Sequence, residues 1–155
     1  MGSVLSEPEL MRAVAADRAA GRTIVFANGC FDVLHVGHVR YLQGAAAEGD
    51  RLIVAINDDA MVTRLKGTGR PVMPAPERAE IIAALDAVDY VVTFADETVA
   101  RLLTEIKPDV HCKGTDYTIE SVPEHDVVRA YGGRTAIVGD PKRHASRDIL
   151  KKISR

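Results

Sequence analysis

The chain contains no tryptophan and few other aromatic residues, three phenylalanines and four tyrosines. A surface that stacks successive nucleic-acid bases on aromatic rings is therefore excluded. There is no excess of positive charge either. Twenty Lys and Arg stand against 22 Asp and Glu, for a net charge of −2, so no basic field for an extended polyanion exists and no nucleic-acid partner is expected. A small anionic substrate needs only a local cluster and stays open. Cysteine is scarce: Cys30 and Cys112 lack the spacing of a zinc site or a disulfide framework and read as small residues at strand ends. No apolar run approaches the roughly 18 residues needed to cross a membrane, and no signal-peptide core is present, so a soluble cytoplasmic protein is expected. Met1 to Ser6 fits a loose lipidation pattern, for which a chance match or an expression scar is the plainer reading. The first strand-to-helix turn lacks G-x-G-x-x-G, which weighs against a dinucleotide-dependent dehydrogenase.

What is present is a regular alternation of strands and helices. At 155 residues the chain is expected to form one domain, 1–155, burying close to about 70% of its unfolded surface. Leu10, Val14 and Ala15 have helical spacing within Glu7 to Ala20, and Gly21 stops a helix predicted to pack on the sheet edge. Strands are predicted over Ile24 to Ala27, Arg51 to Ile56, Val88 to Phe94, Pro108 to Cys112 and Arg134 to Val138. The uninterrupted apolar run Leu52 to Ile56 suits a strand covered on both faces. Between the strands fall helices from Ala60 to Leu65, from near Pro76 to Leu85, from Glu97 to Ile106 and from Glu124 to Tyr131, and Ser146 offers an N-cap for a last helix ending near Ile153. The fold class is α/β: a doubly wound, Rossmann-like, five-stranded parallel sheet with helices on both faces.

In such sheets ligands bind beyond the carboxyl ends of the strands, at a topological switch point. Four polar clusters fall there: Asn28 to His38, Asn57 to Asp59, Lys113 to Asp116, and Asp140 to Arg147. The first carries His35-Val36-Gly37-His38 at a helix start. Histidines three apart share a helix face, about 5–6 Å between Cβ atoms, and the helix amino end favours an anion. Gly37 removes a side chain that would block a close approach. Phosphate binding by imidazole donors is the chemistry suggested, with a metal pair or a structural histidine as the plainer alternatives.

The run G-C-F-D-V-L-H-V-G-H resembles the signature of the cytidylyltransferase-like nucleotidyltransferases. The longer match, through R-L-K-G, R-P-V-M-P, E-R-A-E-I-I-A-A-L and V-D-Y-V-V to K-G-T-D-Y, is similar to the heptose 1-phosphate adenylyltransferase branch. The resemblance implies transfer of a nucleotidyl group from ATP to a sugar 1-phosphate, with release of pyrophosphate. His35, His38 and Lys66 would be catalytic. Cys30, Phe31, Gly37, Lys113, Gly114, Asp116, Arg143, Ser146 and Arg147 would bind the nucleotide, and Asp32, Asp58, Asp59 and Arg78 the acceptor. Helix capping competes for Asp58 and Asp59, and a surface ion pair for Arg78. Magnesium would arrive on the triphosphate, with no metal held by the protein alone. A homodimer is implied. The branch is often fused to a sugar kinase domain, for which this chain has no room. Two departures stand out: Thr115 where the branch commonly shows glycine, and Ala145-Ser146-Arg147 in place of a Ser-Thr-Thr run. A cytidylyltransferase for glycerol 3-phosphate or another alcohol phosphate, and a nucleotide-binding module without turnover, remain the alternatives.

Overall fold

The computed structural model describes residues 1–141 and 145–154. In chain order the elements are β1 (Ser3–Val4), α1 (Glu7–Ala19), β2 (Ile24–Gly29), α2 (Val36–Ala46), β3 (Arg51–Asn57), α3 (Asp59–Lys66), α4 (Ala75–Ala83), β4 (Tyr90–Phe94), α5 (Ala100–Ile106), β5 (Val110–Lys113), α6 (His125–Ala130), β6 (Arg134–Ile137) and α7 (Ser146–Ile153). The six strands form one sheet in the order β1-β4-β3-β2-β5-β6, and every pairing is parallel.

The predicted five strands thus become six. The added strand is the two-residue β1, where the Ser3 N–H donates to Asp89 O at 2.9 Å and the Leu5 N–H to Val91 O at 2.9 Å. Two residues are too few to show a period of two, so the sequence carries no signal for it. Gly2 lies so close to the chain that a Cβ there would stand 2.8 Å from Val88 O. The stretch that resembled a lipidation pattern is an edge of the sheet.

Apolar residues alternate along the central strands, one set to each face. Val25, Ala27, Leu52, Val54 and Ile56 pack with Leu42 and Ala45 of α2 and with Ala79 and Ile82 of α4. Ile24, Phe26, Ile53, Ala55 and Val92 pack with Leu10 and Val14 of α1, with Leu102, Leu103 and Ile106 of α5, and with Val128 of α6. The continuous apolar character of β3 follows from this double cover. Helix α1 therefore covers a sheet face, not its edge as the periodicity suggested. Each fully buried Leu, Ile or Val adds about 1.5–3 kcal/mol relative to exposure.

Strand order places the site. From β2 the chain winds outward through β3 to β4, then returns to lay β5 on the other side of β2. The switch point is the crevice between the carboxyl ends of β2 and β5, where Gly29 and Lys113 end their strands.

Candidate nucleotide site

The loop from Gly29 into α2 forms one wall of that crevice, and its backbone is unusual. Phe31 and Val33 have φ of 50° and 56°, the left-handed region that a β-branched residue rarely enters. Such conformations cost on the order of 1–3 kcal/mol each and persist only where surroundings over-determine them.

Three anchors do so here. The Asp32 carboxylate, 1% exposed, accepts from Arg70 Nε at 2.8 Å, the Val72 N–H at 2.7 Å and the Met73 N–H at 3.0 Å. Burial works to raise its pKa, yet the bonds from Val72, Arg70 and Met73 prevail and hold the carboxyl below the ordinary aspartate value. The Arg78 guanidinium, fully buried, donates to Cys30 O, Asn57 O, Met73 O and Asp59 Oδ1 at 2.7–2.9 Å. The Ser146 hydroxyl reaches from α7 to Asp32 O at 2.5 Å and Val33 O at 2.9 Å.

These contacts revise several expectations. Arg78 faces neither phosphate nor solvent, because its position on α4 lies within the buried stripe of Ala75, Ala79 and Ile82. Asp32 organises the loop and the segment around Arg70, with its carboxylate closed off from an acceptor. Asp59 accepts from the Ala75 N–H and from Arg78, and Asp58 caps α3 by accepting from the Met61 N–H at 2.8 Å, the role that competed with sugar binding. Ser146 is not the N-cap of α7; that position is Ala145, with no side-chain cap bond. Arg70, at the end of a loop with Lys66 and two glycines that reads in the sequence as mobile and basic, is instead held in place: its side chain is 12% exposed and is committed to Asp32.

The histidines form the start of α2 itself. His35 is the N-cap; its Nδ1 accepts from the Gly37 N–H at 3.1 Å, and His38 Nδ1 accepts from the His35 N–H at 3.2 Å. The two rings stack with centroids 3.9 Å apart and planes at 25°, and Phe31 meets the His38 ring edge-on at 5.5 Å. This is a capping box made of imidazoles. It has a chemical consequence: with each Nδ1 accepting a backbone N–H, the ring hydrogen resides on Nε2 of both residues. Both side chains are half-buried at the loop mouth, outside the core.

Around them stand the remaining candidates. Lys66 ends α3, exposed, and its charge reaches the Cys30 thiol. Burial pushes that thiol up against the opposing pull of Lys66, Arg78 and Arg70, so Cys30 stays protonated and is no nucleophile. Its Sγ approaches Asn57 Oδ1 at 3.6 Å. Across the crevice, the Lys113 ammonium lies 5.0 Å from the Tyr117 ring centroid, nothing comes within 4 Å of a Cβ built on Gly114, and Asp116 is exposed. Thr115 Oγ1 donates to Asp140 O at 2.9 Å, tying this loop to the approach to α7. Arg147 is 83% exposed, and Arg143 lies outside the described residues. The structure thus brings Cys30, Phe31, His35, Gly37 and His38 together at the switch point and turns Asp32, Arg78 and Ser146 inward as its supports.

A doubly wound sheet with a histidine pair at the amino end of α2, the helix that joins β2 to β3, defines a class of nucleotide-binding α/β protein. The chain belongs to the cytidylyltransferase-like family, whose model matches residues 26–153. It is 52% identical over 150 residues to the bifunctional protein HldE of Ectopseudomonas mendocina and 51% identical over 152 residues to that of Azotobacter vinelandii. These alignments take in 97% and 98% of the chain but 32% of each relative, so the chain spans about a third of the curated relatives it matches. Among solved structures, a lipopolysaccharide core biosynthesis protein from Thermoplasma volcanium superposes with a TM-score of 0.67 at 25% identity, over 79% of this chain and all of that one. A pantoate-beta-alanine ligase from Francisella tularensis shares the fold, with a TM-score of 0.64 at 14% identity over 97% of this chain and 73% of that one.

Proposed function

We propose that the chain is a nucleotidyltransferase that joins the adenylyl group of ATP to a sugar 1-phosphate, heptose 1-phosphate foremost, giving an ADP-sugar and pyrophosphate. The observation that carries this is the stacked pair of imidazoles capping α2 at the switch point, each with its hydrogen on Nε2. Family membership and about half identity to the HldE proteins support it.

The reaction asks little of the protein beyond charge and alignment. The nucleophile is a phosphate oxygen, largely ionised at neutral pH because its second pKa is about 6, so no general base is needed. That oxygen forms a bond to the α-phosphorus as the bond from the α-phosphorus to the bridging oxygen breaks, and the electron pair leaves with pyrophosphate. The Nε2–H groups of His35 and His38 would donate to the α-phosphate and the departing oxygens, with the helix dipole behind them. Lys66, at the end of α3, would add positive charge, and Lys113 with Gly114 and Asp116 would border the nucleotide. Among the described residues no group of three or more His, Cys, Asp or Glu could hold a metal ion. Magnesium would be carried on triphosphate oxygens, where it would neutralise charge. No helix among the described residues is long and apolar enough to cross a membrane. A cytoplasmic homodimer is the setting the family resemblance suggests.

Pure protein with magnesium, ATP and heptose 1-phosphate should release pyrophosphate stoichiometrically with ADP-sugar. Release with CTP and glycerol 3-phosphate in its place would move the chain to the cytidylyl side of the family, and release with no pair would refute transferase activity. One observation favours a binding module without turnover: the hydroxyl of Ser146, where the family usually has a Ser-Thr-Thr run, is committed to Asp32 O and Val33 O. Tight ATP binding, unaffected by His38→Ala and without product, would establish that second reading.

A further inference from the structure

Phe31 lies on the nucleotide loop, yet its ring is turned away from a bound ligand. The backbone sits at φ 50°, and the side chain, 5% exposed, packs in the core cluster that holds Ala27, Leu42 and Cys112. Only its backbone is left to face a nucleotide. The ring makes two aromatic contacts instead. It meets His38 edge-on, with centroids 5.5 Å apart and planes at 62°, and it stacks against Tyr41, with centroids 6.3 Å apart and planes at 24°. Both separations fall in the range where ring pairs attract beyond simple burial of area. There is no slack on the strand side: a Cβ built on Gly29 would stand 3.1 Å from Phe31 Cε2. The ring therefore fills a slot bounded by the end of β2, His38 and Tyr41.

Tyr41 closes that slot from α2. It stands three residues after His38, on the same side of the helix. Its hydroxyl donates to Cys112 O at 2.7 Å, on β5, in register with Ala27 of β2 and one residue before the strand ends at Lys113. Burial raises the pKa of the phenol, so at neutral pH the group keeps its proton and remains a donor. The side chain is thus fixed at one end by its own helix and at the other by the sheet, and its ring is a wall behind Phe31. The bond from the His35 N–H at 3.2 Å fixes the Nδ1 end of the His38 imidazole, and the flanking rings of His35 and Phe31 fix its plane. We propose that Tyr41 is a positioning residue for nucleotidyl transfer: tethered to β5 across the switch point, it backs Phe31, and Phe31 sets the tilt of His38 and so the direction of its Nε2–H. The inference rests on the nucleotidyltransferase reading of the site. A misplacement of about 1 Å in such a group can cost about 10²-fold in rate, which gives a remote wall its leverage.

The test compares Tyr41→Leu, Phe31→Leu, the two together, and Tyr41→Phe in the full chain, with two readouts. One is steady-state pyrophosphate release with magnesium, ATP and heptose 1-phosphate. The other is hydrogen exchange of the His35 amide, which donates to His38 Nδ1, taken relative to the Val54 amide in the central strand as a gauge of global stability. Tyr41→Leu should lower kcat about 10- to 100-fold while KM for ATP stays within about threefold, and should cut the relative protection of the His35 amide about tenfold. Tyr41→Phe keeps the ring and loses only the tether, so a loss of a few-fold in kcat is expected. Phe31→Leu should resemble Tyr41→Leu, and the double variant should be little worse than either, because both act through one contact. Three results would overturn the proposal. These are a Tyr41→Leu protein with a lower melting temperature but wild-type kcat and His35 exchange, a loss confined to KM, and single effects on kcat that multiply in full. If the parent chain transfers no nucleotide, the transferase reading falls, while the His35 exchange in the same variants still decides whether Tyr41 seats the imidazole.

Discussion

Two helix starts face the same loop and are built in opposite ways. At the start of α2 the Gly37 amide and the amide of the N-cap His35 are met by ring nitrogens of His35 and His38, and the approach to it is pinned by Arg78 and Asp32 from beneath. At the start of α7 the N-cap is Ala145 and, among the described residues, no side chain meets the first-turn amides, none of the helix's residues is buried, and a single hydroxyl ties it to the loop. A helix start binds an anion through its unsatisfied N–H groups. In α7 those would be backbone groups, whereas α2 has exchanged part of its backbone offering for two directed Nε2–H donors. On the proposed function, the start of α2 would serve charge that develops in a transition state, and the start of α7 would serve ground-state binding of the triphosphate.

This contrast ranks the expected effects of substitution. Arg78→Met should be the most severe for folding, since it leaves Cys30 O, Asn57 O and Met73 O short of a buried donor. A loss of about 3–5 kcal/mol is expected, seen as a melting temperature lower by roughly 6–20 °C. An unchanged melting temperature would mean that the start of α2 does not depend on its floor. His38→Ala should reduce kcat by about 10²- to 10³-fold, the effect of removing one directed donor to a developing charge, with a smaller loss of stability of about 1 kcal/mol from the broken cap. An effect confined to KM would place the histidine in ground-state binding and erase the distinction from α7.

Asp32→Asn comes next, at about 1.5–3 kcal/mol, and its signature is pH dependence. The folded pKa of Asp32 is depressed, so its contribution is fully present above the unfolded value of about 3.9 and is lost as pH falls through the folded one. Denaturant midpoints of wild type and Asp32→Asn should therefore differ at pH 7 and converge as acid approaches and passes below pH 4. A gap that widened in acid would contradict the assigned bonds. Ser146→Ala should be mildest: about 1 kcal/mol of stability, a few-fold rise in KM for ATP and little change in kcat. A large fall in kcat there would show that α7 shares in the chemistry.

The alternation of elements and the strand-turn-helix around the histidines were legible because both write themselves into local periodicity. What escaped was non-local or very short. Strand β1 is two residues long, and Arg70 meets Asp32 across a separation of 38 residues that no pattern marks. Ser146 bonds backbone carbonyls 113 and 114 residues away, and a carbonyl has no residue type to recognise. Arg78 did leave a trace: it stands three residues after Ala75 and four before Ile82, inside the apolar stripe of α4, where an arginine signals a buried network more than a surface one. The capping use of both Nδ1 atoms could not be read from spacing, which placed the rings on one face but not their hydrogens.

The most direct test of the histidine cap is the steady-state rate of pyrophosphate release by His35→Asn with ATP and heptose 1-phosphate. Asparagine is a good N-cap and should keep the melting temperature close to that of the wild type, while it cannot place an Nε2–H where the imidazole does. The expected result is a stable protein with kcat lowered by about 10²-fold or more. A stable protein that turns over at the wild-type rate would contradict the claim that the ring at the amino end of α2 serves the phosphates.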